Sequence, residues 1–216
     1  MSKVVLYSQE ISPPCRSVLM AARAIGLDLE IREMNLLKGD HLSEEFKKIN
    51  PQHTIPTMND NGFVLWDSHA ISCYLLDKYA KDDSLYPKDL QKRALINQRL
   101  HFDSGVLFAV MKNAFKPVFL EEVKAIPPEK LDAIKESYEI LDKFLEGKEW
   151  LVGDSYTLAD ISCVATVSNG TAVLKLDDYP NVKAWLKRCE EQLPGYKECN
   201  IPGMKDLHKT LLARLA

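Results

Sequence analysis

The first eighty residues change hydrophobic period several times. Residues 4–7 form a short apolar, β-branched run, which predicts a strand. Pro13 and Pro14 then open an amphipathic stretch that continues to Ile25 and stops at Gly26. Proline in the first turn and glycine past the end are the punctuation expected of a helix. Residues 29–34 alternate apolar and charged side chains, which predicts a second strand and closes a βαβ unit. A short polar helix over 43–49 and the loop Asn50-Pro51-Gln52-His53-Thr54-Ile55-Pro56 come next. Residues 57–59 and 63–66 predict two further strands joined through Asn59-Asp60-Asn61-Gly62, a hairpin signal. Asp67 and Ser68 begin a helix that runs to Tyr79, so the first unit reads βαβ, loop, ββα.

After residue 80 the period changes for good. Residues 81–88 are polar and contain Pro87, which places a linker between a domain over 1–80 and a second over 89–216. The second domain reads as helix throughout, over about 89–119, 128–145, 157–173, 181–192 and 204–215. Thr157-Leu158-Ala159-Asp160 is a capping box with Asp in the third position, and Tyr156 and Ile161 are spaced for a hydrophobic staple. These signals predict a sharply fixed helix start in the middle of the second domain.

Composition narrows the class. In 216 residues, 46% are hydrophobic and 27% charged, enough to bury a core and remain soluble. A net charge of −3 with mixed signs offers no basic stripe for nucleic acid and no polybasic patch for a membrane. No apolar run has the length of a membrane span or of a secretory leader. The five cysteines are odd in number and contain no C-x-x-C pair, which argues against a disulfide framework and against a zinc site. A cytoplasmic protein without a metal is the expectation.

Three segments carry candidate chemistry. Ser12-Pro13-Pro14-Cys15-Arg16 joins the first strand to the first helix, where the helix end favours an anion. It has the form of a C-x-x-C redox motif whose first, nucleophilic cysteine is serine. Disulfide chemistry is lost, but a hydroxyl donor stays at the mouth of an anion site; the same serine also suits a plain N-cap. In Thr54-Ile55-Pro56-Thr57 a cis bond at Pro56 would turn the backbone of Ile55 outward, to pair with a peptide as an added strand. Asp67 and Ser68, at a second helix start, suit either an α-amino and α-carboxylate pair or an N-cap. His41 and His53 flank this region and suit a carboxylate or open solvent.

Together these segments resemble the cytosolic glutathione transferases, nearest to the insect delta and epsilon classes, with epsilon preferred. Asn35-Leu36-Leu37-Lys38-Gly39-Asp40-His41-Leu42, Asp67-Ser68-His69-Ala70-Ile71, Asp82-Asp83-Ser84-Leu85-Tyr86-Pro87 and His101-Phe102-Asp103-Ser104-Gly105-Val106-Leu107-Phe108 add to the likeness, which covers nearly the whole chain. It implies a thioredoxin-like α/β amino-terminal domain that binds glutathione as co-substrate, and an all-α carboxy-terminal domain. It implies that Ser12 donates to the glutathione thiolate and that Ile55, before a cis Pro56, pairs with the cysteinyl unit. Asp67 and Ser68 would hold the γ-glutamyl end, His41 and His53 the glycyl carboxylate, and His69 would lie beside the tripeptide. Other transferase classes use a tyrosine from the first strand, which makes Tyr7 the rival donor.

Position 67 is usually Glu in these classes and is Asp here; position 69 is often Arg in the delta class and is His here. Phe108, Met111, Phe115 and Phe119 recur at i, i+3, i+7 and i+11, on one stripe of a helix. Such a stripe packs a core or, at this place in this family, lines the site for an apolar electrophile, with Leu207 closing it. The family works as dimers. The expected activity is conjugation of glutathione to apolar electrophiles, with hydroperoxide reduction or dehydrochlorination as possible additions. The alternative is a carrier of hydrophobic ligands on the same fold. A glutaredoxin-like reductase is disfavoured by Ser12.

Overall fold

The computed structural model describes residues 4–120 and 123–215. Four strands form one mixed sheet in the order β2-β1-β3-β4. β1 (Val4–Ser8) runs parallel to β2 (Leu29–Glu33), while β3 (Thr57–Asp60) pairs antiparallel with both β1 and β4 (Phe63–Trp66). The β3–β4 hairpin closes on two residues, Asn61 and Gly62, both with positive φ (54° and 95°). That is the turn geometry that favours Asn-Gly and matches the twist of the strands. β2 is an edge strand whose exposed Glu30, Arg32 and Glu33 discourage further pairing.

Strand pairing decides where loops meet. Tyr7 sits opposite Thr57, Thr57 opposite Trp66, and Ser8 opposite Glu33. The chain leaving β1, leaving β2, entering β3 and leaving β4 therefore gathers at one end of the sheet.

Helix α1 (Pro13–Ala24) starts on its two prolines and closes with Gly26 N–H to Arg23 O and Leu27 N–H to Ala22 O, a Schellman ending. It packs with α3 (Ser68–Tyr79) and the sheet around Val4, Leu6, Val18, Met58, Ile71 and Leu75. A short α2 (Glu44–Ile49), capped by Ser43, buries Phe46 on the other side. The chain over 80–88 is docked rather than loose. Tyr86 is buried, Arg93 stacks 4.0 Å from its ring and donates to Pro87 O, and Leu158 N–H reaches Leu85 O.

The second domain comprises α4 (Leu90–Phe102), α5 (Phe108–Phe119), α6 (Pro128–Phe144), α7 (Leu158–Gly170), α8 (Pro180–Gln192) and α9 (Ile201–Leu215). Every residue of α7 is buried, and α1 packs directly against it, so α7 is the axis on which the two domains meet. Its start is held as expected: Asp160 accepts from Thr157 N–H and Leu151 N–H, and Trp185 Nε1 donates to the same carboxylate. The single helix expected over 89–119 is interrupted by a π-turn, Asp103–Leu107, and another, Tyr196–Asn200, leads into α9, which starts earlier than residue 204. Among the described residues no helix is long and apolar enough to cross a membrane.

Candidate functional site

The site is built where β1 ends. Ser12 caps α1 in extended conformation (φ −80°, ψ 118°), but its hydroxyl makes no capping bond to the helix. Its N–H goes to Gln9 O, and its C=O accepts from Arg16 N–H. Pro13 and Pro14 have no N–H, so the first turn has lost two of the donors that a helix end usually offers an anion. The Ser12 hydroxyl takes no part in the helix cap and instead hydrogen-bonds the neighbouring Cys15 thiol. Beside it, the fully buried Cys15 thiol is pushed up in pKa by burial, against the opposing hydrogen bonds of Ser12, the Gln9 backbone and Ser8. A buried thiol kept protonated is a poor nucleophile.

Tyr7 faces elsewhere. Neighbours in a strand point to opposite faces. Ser8 turns toward Cys15, while Tyr7 packs edge-on against Phe46, 5.3 Å between centroids, beside Met34. Its hydroxyl accepts from Arg32 Nη1 at 3.2 Å.

The second wall is the loop before β3. The Ile55–Pro56 bond is cis. Asn50, fully buried, organises the loop: its Nδ2 donates to Thr54 O, Thr54 Oγ1 and Thr57 Oγ1, and Thr57 Oγ1 donates to Thr54 O. Residues on both sides of the cis bond are thereby fixed. Between them, Ile55 N–H and C=O have no partner among the described residues, which leaves the hydrogen-bonding edge of one residue open.

The third wall follows β4. Asp67 has a positive φ of 76°, unusual for a residue with a side chain. Its Oδ1 accepts from His69 N–H (3.0 Å) and Ala70 N–H (3.1 Å), so it does cap α3. Ser68 is buried, and its hydroxyl is unpartnered among the described residues. His69 Nε2 meets Asp103 Oδ2 at 2.9 Å, joining the two domains through the π-turn. Burial disfavours the charged imidazole, but the hydrogen bond and charge of Asp103, with Asp67 further off, outweigh it and raise the His69 pKa. His41 and His53, after β2 and before β3, lie with ring centroids 6.2 Å apart. Burial, and then the charge of His53, lower the pKa of His41, whose buried Nδ1 has no partner among the described residues.

On the helical side, Phe108, Met111, Phe115 and Phe119 share one face of α5, and α9 with Leu207 packs against that helix. Met111, Phe115 and Leu207 are buried in the helical core, and Phe108 and Phe119 are half-buried. The residues that sequence reasoning passed over are Asn50 as the organiser of its loop, Asp103, and Arg16. Arg16 is wholly buried and is taken up below. Each is a buried polar residue whose partners lie elsewhere in the fold or loop, a signal visible only once burial is known.

Known proteins resemble this chain in sequence and in fold. Residues 6–83 match the family model "Glutathione S-transferase, N-terminal domain" and residues 99–192 match "Glutathione S-transferase, C-terminal domain". A delta-class glutathione transferase of Nilaparvata lugens superposes with a TM-score of 0.93 at 43% identity, covering 98% of this chain and 99% of its own. An epsilon-class enzyme of the housefly, Musca domestica, superposes with a TM-score of 0.94 at 43% identity, covering 98% of each. A glutathione transferase homologue from Drosophila mojavensis, solved with bound glutathione, gives 0.95 at 39% identity over 99% of this chain and 98% of its own.

Proposed function

The chain belongs to the glutathione S-transferase family, and from that premise we propose that it conjugates the thiolate of glutathione to apolar electrophiles by a serine-type mechanism. The observation that carries this reading is a pair of groups at one end of the sheet: a Ser12 hydroxyl outside the helix cap, and an Ile55 backbone edge without a partner among the described residues. Tyr7, the rival donor, is engaged by Arg32 on the opposite face.

In this reading the tripeptide lies along Ile55 as a short antiparallel addition, with its cysteinyl backbone paired there and its sulfur at Ser12. Pro56 in cis orients that edge. Asp67 and Ser68 receive the γ-glutamyl amino and carboxylate groups, with His69 beside them. His41 and His53 receive the glycyl carboxylate. Phe108, Met111, Phe115, Phe119 and Leu207 border the electrophile. The thiolate attacks the electrophilic carbon, the leaving group departs with its electron pair, and the thiol proton passes to solvent. Peroxidase and dehydrochlorinase chemistry would draw on the same thiolate.

Retention on immobilised glutathione, followed by conjugation of a chloronitrobenzene, tests the proposal. Retention with turnover is expected. Retention without turnover would replace it with the ligand-carrier reading. We also propose a cytoplasmic homodimer, on family grounds; a monomeric mass by light scattering at micromolar concentration would contradict it.

A further inference from the structure

Arg16 is 0% exposed, yet none of its acceptors is a carboxylate. Its Nε donates to Asn200 Oδ1 (2.9 Å), Nη1 to Glu10 O (3.2 Å) and Ile11 O (2.9 Å), and Nη2 to Ala165 O (3.1 Å) and Asn169 Oδ1 (2.8 Å). All five donors of the guanidinium are used. Burial draws its pKa down to about 10, which still leaves it charged at neutral pH. A buried cation with no anion at bonding distance is costly unless every donor is satisfied. The arrangement therefore holds its acceptors as tightly as they hold it.

Those acceptors come from three places: the loop between β1 and Ser12, helix α7, and the π-turn before α9. Asn200 is itself fixed by donating to Ser168 Oγ at 3.2 Å. A second contact, beside Arg16, meets the same loop. A Cβ built on Gly203, in the first turn of α9, would lie 1.9 Å from Glu10 O and 3.0 Å from Arg16 Cδ. Only glycine allows α9 to seat so closely on that carbonyl. Glu10 and Ile11 immediately precede Ser12, so a chain of direct contacts runs from α7 and α9 to the residue placed at the sulfur.

We propose that Arg16 and Gly203 are positioning residues through which the helical domain sets the place of the Ser12 hydroxyl. This inference rests on the reading of Ser12 as thiolate donor. Neither residue needs to touch glutathione: Arg16 fixes two carbonyls of the loop by donation, and Gly203 fixes one of them by close approach.

The test is the pKa of the bound glutathione thiol, read from thiolate absorbance of the enzyme–glutathione complex across pH. It is measured for wild type, Ser12→Ala, Gly203→Ala and the double variant. The methyl of Gly203→Ala must move Glu10 O. The expected result is a rise of about one unit, roughly a tenfold loss of thiolate below the pKa. kcat should fall in step, while KM for glutathione moves far less. In the Ser12→Ala background the same substitution should add nothing, because the group being positioned is gone. Asn200→Ala, which removes one acceptor of Arg16, should shift the titration in the same direction by less, and it decides the matter should Gly203→Ala not fold. A rise in Ser12→Ala alone, with Gly203→Ala and Asn200→Ala at the wild-type value, overturns the positioning role and leaves the Ser12 reading intact. An equal effect of Gly203→Ala with and without the Ser12 hydroxyl also overturns it. A wild-type titration in Ser12→Ala removes the Ser12 reading, and this inference with it.

Discussion

Replacing Ser12 with Ala tests the chemistry most directly, and the structure sets the size of the effect. A free thiol titrates near ~8.5, so lowering it by about two units requires roughly 2.7 kcal/mol of preference for the anion. A helix end at an exposed position contributes about 0.3–1 kcal/mol. Here the first turn has prolines at its first two positions, and the N–H of Ser12 is already committed to Gln9, so the direct donors of that end are few. A hydrogen bond to a charged group contributes about 1.5–3 kcal/mol. The hydroxyl therefore carries the larger share. Ser12→Ala should raise the pKa of bound glutathione by about one to two units and lower kcat at neutral pH, with glutathione affinity changed much less. Tyr7→Phe should leave the titration unmoved, because that hydroxyl meets Arg32 on the far side of β1. The assay is the ultraviolet absorbance of the thiolate in the enzyme–glutathione complex, titrated for both variants. A shift in Tyr7→Phe with none in Ser12→Ala would refute the serine-type mechanism.

Asp67→Ala should weaken glutathione binding by about 1.5–3 kcal/mol and lower stability by about 1 kcal/mol through the lost cap. Asp67→Asn separates the two effects, keeping the melting temperature and losing the affinity, since Oδ1 caps His69 N–H and Ala70 N–H. Phe115 is buried, so Phe115→Ala should cost about 3–5 kcal/mol of stability. Phe115→Leu should shift preference among electrophiles more than KM for glutathione, and equal preference by competition assay would place Phe115 in the core alone. His69 has a folded-state pKa raised above the ordinary value near ~6.5. The stability it gains from Asp103 is therefore fully present below about pH 6.5 and is lost as pH rises through the folded-state pKa. The gap in urea-unfolding free energy between wild type and Asp103→Asn should narrow over that rise, and a gap that widens with pH would reverse the assignment.

The parts of the fold legible in the chain are those set by neighbours in sequence. The Asn61-Gly62 turn, the prolines that open α1, and the Thr157–Asp160 box all appear where local chemistry places them, because each needs only a few adjacent residues. The π-turn at Asp103–Leu107 was not legible. The hydrophobic period runs through residues 89–119, and Gly105 alone does not tell a π-turn from a continuous helix. What the turn accomplishes, pointing Asp103 at His69, involves a residue 34 positions away.

The site divides along the same line. Ser12, Ile55 and Asp67 could be read as a set because each lies in the chain just outside a strand, and strand pairing alone brings Ser8, Thr57 and Trp66 to one end of the sheet. The proposal of Ser12 over Tyr7 draws on one more fact: a strand's period of two turns Tyr7 and Ser8 to opposite faces, and the Tyr7 hydroxyl meets Arg32 while Ser8 turns toward Cys15. The α5 stripe is different in kind. Its spacing shows which residues share a face, but the same face serves core and pocket, and Met111 and Phe115 are buried while Phe108 and Phe119 are half-buried. Arg16 lies beyond any local rule. In the sequence it is one more charge near the start of a helix, and only the seating of α7, the Tyr196–Asn200 turn and the Glu10–Ile11 loop shows where its five donors go. Short-range signals thus locate the groups proposed to touch glutathione, whereas long-range packing fixes the loop that leads to Ser12.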